Sequence, residues 1–303
     1  MNAREVAILL AMCLVWGFHF VVIKLAVNEA PPILYAAMRM TLAAALTARF
    51  LKWRAGEMAP VLCAGLCLGV FNYVFMFYGV KYATASAAAI AMELYVPFAT
   101  ILSVVFLGDR IGWRRMIGIV LAFLGVAVIA LGDQAEANPE TRLALGVGLV
   151  AAGALVEGVG AVLVKKAEGF KPIELLAWFA FVGMIGSWIM TGLVESNQMQ
   201  SLGDANKLLL TGAIIYSAVG ASIFGHTAYY WLIKRLPLSL VAPSVMLTTL
   251  IAVIFGVVLL GDPFGPRMVI GGALVLSGVG VVVLRNARKQ EITAPLEEPG
   301  AMS

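Results

Sequence analysis

The stretch "ILSVVFLGDRIGWRRMIGIVLAFLGVAV" at 101–128 returns 153 residues later, without a gap, as "IFGVVLLGDPFGPRMVIGGALVLSGVGV" at 254–281. Fourteen of the 28 aligned positions are identical, among them Leu107-Gly108-Asp109 against Leu260-Gly261-Asp262, Arg114 against Arg267 and Gly125 against Gly278. Each copy reads as an apolar segment, a tight Gly-Asp corner and a second apolar segment. A repeat at fixed spacing decides the architecture before any single element does. It predicts two copies of one unit, residues 1–133 and 143–284.

Composition sets the solvent. The chain is 62% hydrophobic and only 13% charged, with mean hydropathy +0.97, whereas soluble domains carry about 25% charged residues. The net charge of +4 lies between apolar runs rather than on one basic face, so nucleic acid is not an expected partner. Cys13, Cys63 and Cys67 all fall inside apolar segments, which fits neither a disulfide framework nor a metal site. No "GxxxxGK[ST]" or "HExxH" occurs, so the sequence calls for no cofactor, no ATP site and no enzyme chemistry.

Apolar runs of about 20 residues, each able to cross a hydrocarbon core of about 30 Å, occur near 5–27, 33–53, 59–80, 85–107, 114–132, 144–164, 173–194, 208–232, 239–260 and 267–284. The expected class is an all-α integral membrane protein with ten transmembrane helices. The first run holds Trp16, His19 and Lys24 and lacks an Ala-x-Ala end, so it does not read as a cleaved signal. Asp262-Pro263 reads as N-cap and first residue of the tenth helix, with Asp109 in the same role in copy one. The polar segment 285–303 is expected to be a disordered cytoplasmic tail.

Lys and Arg set the orientation. With the N-terminus inside, the inner segments hold Arg4, Arg49, Lys52, Arg54, Arg110, Arg114, Arg115, Lys165, Lys166, Lys171, Lys234, Arg235, Arg285, Arg288 and Lys289, which is 15. The outer segments hold Lys81, Arg142, Lys207 and Arg267, which is 4. Both termini are therefore expected in the cytoplasm. Five helices per copy is an odd number, so the two copies must lie in opposite orientations. Such inverted repeats place a site near the midplane, where the halves meet.

The residues "LVWGFHFVVIK" at 14–24, Pro31-Pro32, Arg39 and the twice-occurring "LGD" corner resemble the EamA-type branch of the drug/metabolite transporter superfamily, over essentially the whole chain. That family usually has Glu where Asp109 and Asp262 stand. The resemblance implies ten helices in two inverted five-helix units and export of small metabolites, often amino acids. Within the family the chain looks most like exporters of amino acids, including aromatic ones.

Polar groups inside a membrane are costly and therefore mark candidate function. Counted from helix ends, Trp16, His19 and Glu157 fall near the midplane. Helix 6, "LVEGVGAVLVKK", aligns with helix 1, "LVWGFHFVVIKL", and sets Glu157 against Trp16. Trp16 offers a face for an aromatic ring or an ammonium group, and Glu157 a receptor for an ammonium group or a proton. His19 reads equally as a helix tie or as a titrating group. Tyr78 and Tyr82 end an aromatic stripe on helix 3, where Asn72 lies at mid-depth. On helix 4, Glu93 either lines the cavity or joins Lys24 and Arg39 in an ion-paired cluster holding helices 1, 2 and 4. Pro97 frees a carbonyl on the same helix, and Tyr95, Tyr216, Ser244 and Thr248 complete the lining candidates. The expected function is export of a small amphipathic metabolite, an amino acid with a bulky apolar side chain, across a bacterial-type inner membrane by alternating access. Lipid surrounds the protein and protons are the candidate coupling ion. A carrier of cationic drugs or another metabolite of the same superfamily stays open beside it.

Overall fold

A computed structural model describes residues 2–108, 111–131, 142–167, 169–233, 235–236 and 238–293. The described residues are helical, with no strand. Among the described residues, nine helices are long and apolar enough to cross a membrane: α1 Ala3–Glu29, α2 Pro32–Phe50, α3 Met58–Tyr82, α4 Ala85–Phe106, α5 Trp113–Ala130, α6 Leu143–Lys165, α7 Pro172–Val194, α8 Lys207–Tyr229 and α10 Pro266–Leu284. Between the last two lies α9, a 23-residue apolar helix at Leu238–Leu260. A short helix at Gln198–Asp204 links α7 to α8, and the last helix continues beyond the apolar span to Thr293.

Besides the 3-10 turn Ala48–Phe50 that closes α2, three of the described spans depart from regular α geometry in their interior. The chain widens into π-helix at Cys67–Phe71 in α3 and at Tyr216–Gly225 in α8. In α4, Ala85–Met92 and Tyr95–Leu107 are separated by a turn at Glu93 and Leu94. Pro97 explains that turn. It has no N–H for the Glu93 carbonyl, which accepts instead from Val96 at 3.1 Å, one residue short of the α pattern.

The helices pack as α5 on α10, α2 on α7 and α4 on α9, with α8 and α9 flanking α1 and with α3 and α4 flanking α6. Exchanging each helix for the one five places later maps this set onto itself. The α5–α10 contact is close enough that only glycine fits. A Cβ on Gly118 would lie 2.6 Å from the Gly278 carbonyl oxygen, and one on Gly125 2.5 Å from that of Gly271. Small residues at such seams let helix backbones approach in lipid, where apolar burial gives no driving force. Residue number rises along α5 as it falls along α10, so the two run antiparallel. On α2 and α7, Ile33 meets Glu195 and Thr41 meets Trp188, which is again antiparallel.

The two Gly-Asp corners share a turn. Gly108 ends α4 with φ 71° and Gly261 ends α9 with φ 68°, a left-handed conformation that glycine adopts without steric cost. The helices that follow begin at Trp113 and Pro266, which are equivalent positions 153 residues apart. Asp262 is therefore not the N-cap of α10, and Pro263 is not its first residue. Pro266 holds that place, and Asp262 reaches α4 instead. Its Oδ2 accepts from the Ser86 backbone N–H at 2.8 Å and from Ser86 Oγ at 2.7 Å. A carboxylate at a helix N-terminus satisfies orphan donors and meets the positive end of the dipole. Asp109 lies outside the described residues.

The α5–α10 seam yields a paired test. Gly278→Ala, whose Cβ would clash with the Gly118 carbonyl, is expected to lower stability by about 1–3 kcal/mol. Gly148→Ala, which meets nothing within 4 Å, is expected to leave the melting temperature of the detergent-solubilised protein unchanged or slightly raised, since Ala favours the helix over Gly.

Candidate functional site

Three polar clusters lie within the bundle, each beside one of the helix irregularities. The largest joins α1, α2 and α8. Widening of α8 turns carbonyls out of its own ladder, and α1 and α2 supply donors to that stretch. The Trp16 indole N–H donates to the Ala221 carbonyl at 2.9 Å, and the ring rests where a side chain on Gly225 would stand. Trp16 also meets His226 edge-on at 5.5 Å between centroids. The His19 Nε2 shares a hydrogen bond with Ser217 Oγ at 2.9 Å, and Tyr35 OH meets the same hydroxyl. Tyr216 OH donates to the Val15 carbonyl at 2.8 Å. Arg39 enters from α2: its Nη2 donates to Ser222 Oγ at 2.6 Å, and its guanidinium lies 4.4 Å from the Tyr73 ring centroid.

The second cluster joins α3 to α6. Asn72, the first residue after the π segment of α3, donates from Nδ2 to the Gly153 carbonyl and to Glu157 Oε2, each at 3.1 Å. The carboxylate of Glu157 is thus held by one neutral amide. The third cluster joins α4 to α9: the turn at Glu93 presents its buried carboxyl to the hydroxyl of Thr249. Trp16 and Glu157 do not meet; each is bonded to the neighbouring helix.

The expected ion-paired cluster of Lys24, Arg39 and Glu93 does not form. Among the described residues the ion pairs are Lys52 and Arg54 with Glu174, at 2.8 and 3.3 Å, at the other end of the bundle. Lys24 Nζ donates instead to the carbonyls of Val80, Lys81 and Ala83 at 2.9, 2.9 and 2.7 Å. These are the end of α3 and its cap, where a cation meets the negative end of the helix dipole.

Tyr78 and Tyr82 lie at the end of α3, stacked at 6.3 Å. Tyr78 OH donates to Glu195 Oε1 at 3.0 Å. Glu195 also accepts from the backbone N–H groups of Ile33 and Leu34 at 2.8 and 2.9 Å and from Thr191 Oγ1 at 2.7 Å. The first residues of α2 have Pro31 as their own cap, which bonds nothing by its side chain, so a carboxylate from α7 does the capping. Thr248 Oγ1 turns to the Ser244 carbonyl of its own helix at 3.3 Å, as hydroxyls in apolar helices commonly do. Cys13 Sγ bonds the same carbonyl at 3.2 Å. Tyr95 is half-buried against the main apolar cluster.

Sequence reasoning missed Tyr35, Tyr73, Ser217, Ser222, Thr249 and Glu195. Ser217 and Ser222 are five residues apart, the repeat of a π turn rather than an α turn, so a 3.6-residue face does not group them.

The EamA-like transporter family matches the chain twice, over residues 3–131 and 144–284. A protein of Archaeoglobus fulgidus named only as an uncharacterized transporter is 30% identical over 275 residues, which is 88% of this chain and 94% of that one. A Salmonella typhimurium protein named "Probable amino-acid metabolite efflux pump" is 26% identical across 95% of this chain and 99% of its own length. A "Probable terminal-alkyne amino-acid exporter" of Streptantibioticus cattleyicolor is 24% identical over 77% and 76% respectively. One crystal structure, 19% identical, superposes with a TM-score of 0.63 over 96% of this chain and all of that chain.

The capping role of Glu195 is open to measurement. Glu195→Ala removes acceptors from two backbone N–H groups, one phenol and one threonine, and is expected to cost about 1–3 kcal/mol of stability. Glu195→Gln keeps one oxygen and is expected to cost less, both read as melting temperatures in detergent.

Proposed function

We propose, because the chain belongs to the EamA-like transporter family, that it exports an amino acid carrying a substantial apolar side chain, with alternating access around a central site. The protein is a multi-pass membrane transporter of the drug/metabolite superfamily, not an enzyme. In the proposed arrangement ten helices form two inverted five-helix repeats with both termini cytoplasmic, in a bacterial-type inner membrane. The antiparallel α5–α10 and α2–α7 contacts and the double family match support the inversion.

One observation carries the site. The α1–α8 and α3–α6 junctions are exchanged by the pseudo-symmetry of the packing, and each is polar at mid-depth. Trp16 lies about 20 Å into α1 and Glu157 about 21 Å into α6, at 1.5 Å per residue. A site on the axis between inverted halves faces both junctions in turn as one half rocks against the other. Glu157 offers a carboxylate to an ammonium group, and Trp16 offers its face to an apolar or cationic body. The names of the Salmonella and Streptantibioticus relatives support amino acids as the class. Protons, carried on Glu157, Glu93 or His19, are the proposed coupling ion.

Counterflow uptake of radiolabelled amino acids into proteoliposomes, with and without a pH gradient, tests the reading. Uptake that favours bulky apolar amino acids is expected, and its response to the gradient decides proton coupling. Organic cations taken up in place of any amino acid would replace this reading with the cationic-drug one. Glu157→Gln is expected to lower the rate about tenfold, the worth of one charge-assisted hydrogen bond, with melting temperature unchanged. Wild-type rates in that variant would remove Glu157 from the site.

A further inference from the structure

We infer that Arg39 is the residue that receives the substrate's carboxylate, an assignment that rests on the amino-acid reading above and deepens it. The side chain is 1% exposed. Its Nη2 is held by Ser222 Oγ at 2.6 Å, with the Ser217 carbonyl at 3.5 Å and Tyr73 OH at 3.4 Å. Among the described residues, Nε and Nη1 are buried with no hydrogen-bond partner, and no carboxylate lies within ion-pair distance of the guanidinium. Three of its five N–H bonds are therefore unspent, on a group that does not lose its proton in proteins.

A fixed cation inside a membrane bundle is costly unless an anion or a full set of acceptors meets it. The groups that touch Arg39 are uncharged: the Tyr73 and Phe77 rings, with centroids 4.4 and 5.7 Å away, the Ser217 carbonyl and the Ser222 hydroxyl. One cation among neutral groups balances one negative charge. A carboxylate fits that count; a phosphate dianion would need more. The surrounding faces also suit the rest of the molecule, since Tyr73 and Phe77 give apolar area beside the charge.

Position ties this anion site to the acid already described. Tyr73, whose ring covers Arg39, follows Asn72, which holds Glu157. One turn of α3 therefore bears a guanidinium on the side of α2 and a carboxylate on the side of α6. A zwitterion has one end for each. The α8 segment that holds Arg39 is the π stretch Tyr216–Gly225, so a shift of α8 would release Nη2 as the carboxylate engages.

The test uses three probes on the purified full-length protein: phenylacetate for the carboxylate alone, phenylacetamide as its neutral isostere and phenethylamine for the ammonium alone. Phenylacetate is expected to raise the wild-type melting temperature and inhibit L-phenylalanine counterflow at least tenfold more strongly than phenylacetamide. Arg39→Gln is expected to abolish that difference as read by melting temperature and leave the shift produced by phenethylamine intact, and Arg39→Lys to keep part of it. Ser222→Ala, which frees Nη2 without removing the charge, covers the case in which Arg39→Gln does not fold and is expected to strengthen phenylacetate several-fold, since the bond that engagement must break is already gone. Equal action of phenylacetate and phenylacetamide on wild type would overturn the inference. So would an unchanged phenylacetate effect in the variants, or a shift reproduced by sodium chloride at equal ionic strength. If wild type carries no L-phenylalanine while the phenylacetate shift persists and falls in Arg39→Gln, the amino-acid reading fails and the carboxylate site stands.

Discussion

In hydrocarbon a backbone carbonyl or N–H without a partner costs several kcal/mol, so a spanning chain keeps its α ladder wherever it can. Among the described residues the ladder is interrupted inside three spans, and a polar cluster sits beside each. The π stretch of α8 takes Trp16 on the Ala221 carbonyl and Arg39 on Ser222. The π stretch of α3 ends at Phe71, directly before Asn72 and Tyr73. The turn in α4 is at Glu93. A departure from α geometry frees groups and rotates side chains off the regular face, and both effects make room for chemistry. The π stretches fall in the third helix of each half, which the packing exchanges.

The charges follow the same rule of local satisfaction. Glu174 pairs with Lys52 and Arg54 at one end of the bundle, where water is near. At the opposite end, charged groups are answered by dipoles. Lys24 takes three carbonyls at the end of α3, Asp262 takes the start of α4, and Glu195 takes the start of α2. Helix termini offer fixed partial charges that need no second ion to be desolvated. Arg39, by contrast, has rings and hydroxyls and keeps two nitrogens unmet.

The apolar spans were legible because each is written in a run of about 20 residues, a signal that one misread residue does not erase. The left-handed glycines at 108 and 261 were legible as corners because the motif occurs twice. Asp262 was misread because the rule applied to it was local. An Asp before a Pro is a good cap, but the N–H and the hydroxyl it satisfies both belong to Ser86, 176 residues away. The cluster of Lys24, Arg39 and Glu93 failed similarly. Depth along a helix says which charges share a layer, not which face each one occupies. Ser217 and Ser222 were invisible because π-helix has no compositional mark, and an α wheel scatters residues five apart.

The helix 1 and helix 6 sequences also show why the most informative positions in a repeat protein are those where the copies disagree. Leu14-Val15 and Gly17 recur as Leu155-Val156 and Gly158, and Lys24 recurs as Lys165. These shared residues serve what the two halves have in common, close helix contact and a charged end. Between them Trp16 stands against Glu157 and His19 against Gly160. A scaffold of two equivalent halves, left to itself, would present the same groups from both sides. A substrate with unlike ends needs unlike junctions, one apolar and hydrogen-bonding, the other acidic. Under the proposed inversion, divergence at these positions breaks the symmetry of the site while the surrounding glycines preserve the symmetry of the motion.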